Sequence, residues 1–347
     1  MSSFVDGMAC TVWQKHKEPY MNRTPMLVLA LALVLGLSAA CAPDEKVTLK
    51  FSNVSSVSTR EAGEVFKRIL EKESKGTIIV KLFPDNMLGD DRMVIESTML
   101  GDIDIGASAT SPLSRLIPDF YLFDCPFVFL NVEDAYAAMD GPGESMLKVM
   151  ENKGLKGLGF WENGFRNLTN NTVAARVPAD VKNMKIRTME NDVHLAAWRA
   201  FGATPTPMVY SELFTALQKG LVDGQENPLG LIASSKFYEV QKYVSLTQHV
   251  YTPYVVCMNL NAYNALSEFQ RAALKKAFKE ATEFQRKRSQ ELEKEILVAL
   301  EKYGTVVTHL TPKEKAAWQE VMSEAKIFDL VKRKMDNSKY LDEMRSK

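Results

Sequence analysis

Val47-Thr-Leu-Lys-Phe-Ser52, then Ala62, Val65, Phe66, Ile69 and Leu70, then Thr77-Ile-Ile-Val-Lys-Leu-Phe83: this succession decides the fold. The first segment alternates apolar and polar residues, so a strand would put its apolar side chains on one face. The five apolar residues that follow are spaced 3, 1, 3 and 1 apart, which is one face of a helix. The third segment is a β-branched run that stops at Pro84, a residue that cannot extend a ladder. A short helix with Ile95, Met99 and Leu100 on one side is closed by Gly101, and Asp102-Ile-Asp-Ile-Gly106 reads as the next strand. Strand, helix, strand, helix, strand predicts a parallel sheet covered by helices.

The rhythm returns after residue 160. Met184-Lys-Ile-Arg187 reads as a strand, Val193 to Phe201 as a helix with Gly202 at its C-cap, and Ser211 to Lys219 as a helix ended by Gly220. Val240 to Val250 and Tyr254 to Leu260 are strand-like. Ser267-Glu-Phe-Gln270 is a capping box, and the helical pattern behind it runs to about Lys302. Interspersed Glu and Lys/Arg without a sustained heptad predict a solvated helix lying across two domains. Thr311-Pro-Lys-Glu314 opens a last helix with a second capping box and Pro at its first position.

The expected architecture is therefore α/β: two lobes, with the long helix spanning both. Lobe I is expected over 43–163 plus 252–291, and lobe II over 164–251 plus 292–347. Ligands of open α/β sheets bind outside the carboxyl ends of the strands, which places the cleft between the lobes.

Upstream, Met26 to Leu37 is a twelve-residue apolar run preceded by Arg23 and followed by Ser38-Ala-Ala-Cys41-Ala42. A basic flank, a short apolar stretch and small residues make residues 1–40 an export signal, too short for a permanent membrane span. Residues 1–20 do not read as its charged start, which points to initiation at Met21 or Met26. Cys41 stands where a lipoprotein cysteine would, in an imperfect lipobox with Ser38 in place of Leu. Lipidation at Cys41 and plain cleavage nearby both remain open. The chain has 347 residues, 46% hydrophobic and 25% charged, with 43 Lys+Arg against 43 Asp+Glu. That balance gives no field for nucleic acid or an anionic surface, so any taste for anions rests on individual cations. Cys125 and Cys257 sit in apolar settings and are expected as buried thiols without a disulfide.

Catalytic sets are missing. His194, His249 and His309 form no metal pair and are expected on element surfaces, while His16 falls in the leader. No G-x-S-x-G elbow, P-loop or dinucleotide loop occurs, and Ser145-Met-Leu-Lys148 lacks the partners of an S-x-x-K acyl-transfer site. The expectation is a binding protein rather than an enzyme, with no metal or cofactor.

Several segments, in order, resemble the solute receptors of tripartite ATP-independent periplasmic (TRAP) transporters, of the dicarboxylate-receptor type. They are Phe83-Pro-Asp-Asn-Met-Leu-Gly-Asp-Asp-Arg92, Gly164-Phe-Arg-Asn-Leu-Thr169, Met184-Lys-Ile-Arg187, Gly202-Ala-Thr-Pro-Thr-Pro-Met-Val-Tyr-Ser211 and Val222-Asp-Gly-Gln-Glu-Asn-Pro228. The resemblance spans about 45–340. It implies an exported, monomeric receptor that hands a small organic acid to TRAP membrane permease subunits. It also implies roles: Arg187 grips the ligand carboxylate bidentately, Arg166 supports the anion, Asn227 donates an amide hydrogen bond and Tyr210 covers the ligand. The chemistry suits Arg187, since a guanidinium offers paired donors matched to two carboxylate oxygens and keeps its charge when partly dehydrated. Ala109 and Pro112 stand where sialic-acid receptors carry an acid and a further Arg, which argues against sialic acid. Ser108, Thr110 and Ser111 are candidate partners for hydroxyls or a second carboxylate. A C4-dicarboxylate or a sugar acid such as a uronate is expected. A ligand-presenting partner of a signalling receptor and an exported enzyme acting on a carboxylate are the alternatives.

Overall fold

The computed structural model describes residues 45–53 and 56–345. The expected leader, residues 1–40, and the candidate lipid site Cys41 lie outside the described residues.

The opening rhythm is present as β1 (Val47–Ser52), α1 (Val57–Glu73), β2 (Ile78–Phe83), α2 (Asp91–Leu100) and β3 (Ile105–Ala109). β1 pairs in parallel with β2 on one side and β3 on the other. α1 starts at a capping box between Ser56 and Thr59 and buries Ala62, Phe66, Ile69 and Leu70. The second half follows the same logic. β5 (Lys185–Thr188), α3 (Asp192–Ala200), β6 (Thr204–Pro207), β7 (Gly224–Pro228) and α4 (Leu229–Ser234) succeed one another, and β5 pairs in parallel with β6 and β7.

Two long strands join these halves and depart from the expected all-parallel sheet. β9 (Tyr251–Asn259) runs antiparallel to β3, and β4 (Leu155–Asn170) runs antiparallel to β9, β7 and β8 (Tyr243–Ser245). A βαβ rhythm fixes the direction of successive strands only. β9 arrives by a long return from the other half, so no local rule constrains it. β4 serves both halves. Residues through Phe165 pair with β9, and from Arg166 onward the partners are β7 and β8. The handover has a register shift between Glu162 and Gly164, with Gly164 at φ +111°. Only glycine adopts that backbone cheaply, and the bulge bends the strand between the halves. Neither β4 nor β7 shows as a strand in the sequence, and only Tyr243–Ser245 of the expected Val240–Val250 strand is one.

α5 (Glu268–Tyr303) has 36 residues, opens at the predicted Ser267/Gln270 box and closes at Gly304 with φ +100°. Its first half sends Leu274, Ala277 and Phe278 into the core beneath α1, and its last turns send Leu300 into a second cluster with Leu217 and Phe237. Phe278 stacks on Trp161 of β4 with ring centroids 6.0 Å apart; such a pair adds about 1 kcal/mol beyond its buried area. α5 then leads into β10 (Val306–Thr308), which pairs with β8. Cys125 and Cys257 are both buried and not joined to each other, and burial pushes the Cys257 thiol up to about 12. Among the described residues, no helix is long and apolar enough to cross a membrane.

The two sets of parallel strands point their carboxyl ends toward one crevice. α2 and the end of β3 form one wall; the ends of β5, β6 and β7 form the other.

Candidate functional site

The crevice between these walls is a cleft open at its mouth. Arg166, Arg187, Tyr210 and Asn227 all line it, from four different elements. Ser108 and Thr110 do not line it. Both are fully buried, while Ala109 between them and Pro112 beyond form the wall.

Arg187 is 2% exposed on β5. Its Nε and Nη2 donate to the Met208 carbonyl at 3.0 and 2.6 Å. That carbonyl takes one edge of the guanidinium and leaves the Nη1–Nη2 edge available, the edge that meets a carboxylate two-on-two. Nη1 is buried and has no hydrogen-bond partner. Burial, and then the Arg166 charge, push the Arg187 pKa down to about 10. The Tyr210 ring lies 5.9 Å from the guanidinium carbon, and the Tyr210 hydroxyl is tied to Ser235 at 2.6 Å.

Arg166 is fully buried on β4, where the strand has just turned to β7. It is both an ion-pair residue and a cleft residue. Nε and Nη2 face the Glu226 carboxylate, Nη2 at 2.9 Å from Oε1, and Nη2 also donates to Asn227 Oδ1 at 3.0 Å. Nη1 again has no partner. Asn227 Nδ2 donates to Gln225.

Behind Arg166 lies a polar network that sequence reasoning did not find. His249 Nε2 is 3.1 Å from Glu226 Oε2, and its Nδ1 is 2.9 Å from Thr247 Oγ1. His194 Nε2 is 3.1 Å from Asp124, with Nδ1 3.8 Å from Glu226. Both histidines were expected on surfaces and are instead buried, His194 2% and His249 1% exposed, with the Asp124 and Glu226 carboxylates each accepting or facing a ring nitrogen inside. Burial alone would raise Glu226, but the Arg166 charge and the two neighbouring histidines, His249 in hydrogen-bond contact, outweigh it and hold the carboxyl well below its usual range. Burial lowers the His249 pKa, whereas the hydrogen bond to Asp124 and the nearby Glu226 carboxylate overcome burial and raise that of His194.

The opposite wall also holds lining residues that were not expected. Asp91 opens α2, half-buried, with Oδ1 accepting the Ala109 N–H at 2.7 Å. Tyr254 of β9 lines the cleft with its hydroxyl buried and unpartnered. Asp91 and Glu226 both stand in segments whose resemblance was noted, so position was the available signal. At the mouth, Ser211 N and Oγ donate to Asp90 at 3.3 and 2.8 Å, tying α2 to the turn after β6.

The family model described as bacterial extracellular solute-binding protein, family 7, matches residues 51–327. The 2,3-diketo-L-gulonate-binding periplasmic protein YiaO of Escherichia coli (strain K12) is 35% identical over 294 residues, covering 84% of this chain and 89% of that protein. Among solved structures, the sugar acid binding protein DctPAm of Advenella mimigardefordensis in complex with galactonate superposes with TM-score 0.83 at 35% identity, over 87% of this chain and 98% of that one. A TRAP periplasmic solute-binding protein of Sulfurospirillum deleyianum with bound succinate superposes with TM-score 0.82 at 29% identity, over 87% and 99%.

Proposed function

The chain belongs to family 7 of the bacterial extracellular solute-binding proteins, and on that premise we propose that it captures a small organic acid by its carboxylate in the cleft between two lobes. The observation that carries this is a set of orphaned donors. Nη1 of Arg166, Nη1 of Arg187 and the Tyr254 hydroxyl are all buried without partners, and all three residues line one cleft. Buried donors are costly to leave unmade, so a site that holds three is built for an acceptor-rich ligand. Arg166 is already neutralised by Glu226. Arg187 has no carboxylate on it, so it is the cation for the ligand, with Asn227 donating beside it and Tyr210 covering the guanidinium.

The receptor works by closure. The acid docks on Arg187, the α2 wall swings over it, and the Asp90–Ser211 hydrogen bonds tie the mouth. The lobes are 43–163 plus 252–291 and 164–251 plus 292–347, and the change of partners along β4 at Phe165/Arg166 supports that division. Residues 1–40 direct export to the periplasm, with Cys41 either lipidated or removed. The loaded receptor, a monomer, meets the membrane permease subunits of a TRAP transporter. The family is one of receptors, and the cleft holds its ligand without turnover.

A thermal-shift screen of purified protein against organic acids tests the reading. An acid present at about a hundred times its Kd stabilises the folded state by about 2.7 kcal/mol, and Arg187→Ala should erase that shift. Stabilisation by uncharged analogues but by no carboxylate would overturn it.

A further inference from the structure

The charges on the cleft walls do not match a ligand with two carboxylates. Three arginines line the cleft. Arg166 is consumed by Glu226, and Arg92 pairs with Glu96 at 2.8 Å on a largely exposed turn of α2. Arg187 is left as one cation for one carboxylate.

The wall formed by α2 and β3 offers the reverse charge. Asp91 Oδ1 accepts the Ala109 N–H at 2.7 Å. No cation pairs with it. Crowding by the surrounding protein raises its pKa, neighbouring Asp90 adds to the rise, and the Ala109 and Ser108 hydrogen bonds and the Arg187 charge work the other way. A second ligand carboxylate brought to this wall would meet an anion that is already short of compensation. A ligand hydroxyl would meet an acceptor. Ser108, expected to touch the ligand, is instead buried behind this wall, its Oγ donating to the Ala109 carbonyl at 3.1 Å.

We propose that Asp91 is the specificity-determining residue of the cleft, accepting a hydroxyl of the ligand and so selecting hydroxylated monocarboxylates, such as aldonates and uronates, over unsubstituted dicarboxylates. This rests on the carboxylate reading of the preceding subsection. Charge-assisted acceptance of one hydroxyl and exclusion of a like charge act in the same direction, so the preference should be large. The Ala109 N–H fixes Oδ1 as an acceptor, so in Asp91→Asn the amide NH₂ takes the other position. That variant presents a donor where the native protein presents an acceptor, and a donor suits a second carboxylate.

The test is calorimetric titration of the purified native protein, Asp91→Asn and Arg187→Ala with D-galactonate, D-erythronate, D-glucuronate and succinate. Melting curves confirm that each variant folds. The native protein should bind at least one hydroxy acid about 100-fold more tightly than succinate. The open-chain and ring acids then report which shape the cleft takes. Asp91→Asn should weaken that hydroxy acid at least about tenfold without weakening succinate, collapsing the ratio. Arg187→Ala should lose both classes. Native preference for succinate, or equal weakening of both classes in Asp91→Asn, would overturn the assignment of Asp91 while leaving the role of Arg187 intact. Failure of the native protein to bind any of the four would overturn the carboxylate reading and this assignment with it.

Discussion

Replacing Arg187 by Met should separate what this residue costs the empty protein from what it gives the complex. A pKa near 10 against an ordinary 12.5 means that folding penalises the charged guanidinium. Because the folded pKa of this base lies below the unfolded one, the penalty applies in full at every pH below about 10, and it amounts to roughly 3 kcal/mol. Met keeps much of the aliphatic stem and removes the charge. It also strips the Met208 carbonyl of its two donors, which costs about 1–3 kcal/mol. The two nearly offset, so the melting temperature of the unliganded variant should be unchanged or a few degrees higher. Binding should collapse, because two charge-assisted hydrogen bonds at about 1.5–3 kcal/mol each are lost together. That is about 3–6 kcal/mol, or a Kd raised by about two to four powers of ten. Arg187→Lys should lie between, retaining charge without the fork. Differential scanning calorimetry of the unliganded proteins and isothermal titration with the best acid measure the two effects. A Met variant that binds within threefold of the native protein would refute the argument. So would an unliganded variant melting more than about 5 °C lower, since that would make Arg187 a structural residue rather than a ligand's counter-ion.

Glu226→Gln leaves Arg166 buried without its counter-charge and should destabilise the fold by about 3–5 kcal/mol, read as a lower melting temperature. In the native protein the stabilisation from Glu226, whose pKa is depressed, is present above pH 4.5 and should fade as pH falls below it, so the variant's deficit should shrink in acid. Glu162, under α5, behaves oppositely: burial raises it to about 7, so the folded state pays an increasing penalty as pH climbs from 4.5 to 7. Native stability should decline over that window by up to roughly 3 kcal/mol from this group, and Glu162→Gln should flatten the decline in melting temperature; an unchanged slope would exclude Glu162 as its source. Ser211→Ala removes the Oγ bond across the cleft mouth and should weaken binding by about 1 kcal/mol, mostly as faster ligand release in stopped-flow measurements. The Asp91→Asn collapse of the preference for hydroxy acids over succinate completes the set.

Where the sequence was readable, the determining interactions were local. Ser267 and Gln270 cap each other three residues apart, and the apolar stripe of α1 lies within one helix, so both could be seen without knowing the fold. That Arg187 lines the cleft was legible from the resemblance of Met184-Lys-Ile-Arg187, and its place at the end of a predicted strand agrees with where α/β clefts take ligands. The unreadable parts are satisfied from far away. β7 is Gly-Gln-Glu-Asn-Pro, a poor strand by propensity, yet all five residues are buried. Glu226 is matched by Arg166, 60 positions earlier, and Asp124 by His194, 70 positions later. β4 hides behind Gly157, Gly159 and Gly164, which interrupt any alternation. Ser108 turns away on register: strand side chains alternate, and the sequence does not say which parity faces the cleft, while Thr110 lies just past the end of β3, buried in the turn that follows. Asp90 and Asp91 look like ordinary acids at a helix N-terminus. Asp90 does sit at the N-cap, but it makes no cap bond and accepts from Ser211 instead. An acid freed from its local role and spent across the cleft is what a binding site asks of a helix start. Local rules therefore break where residues are satisfied from far along the chain or turned toward the cleft, and here those breaks gather around Arg166, Arg187 and Asp91.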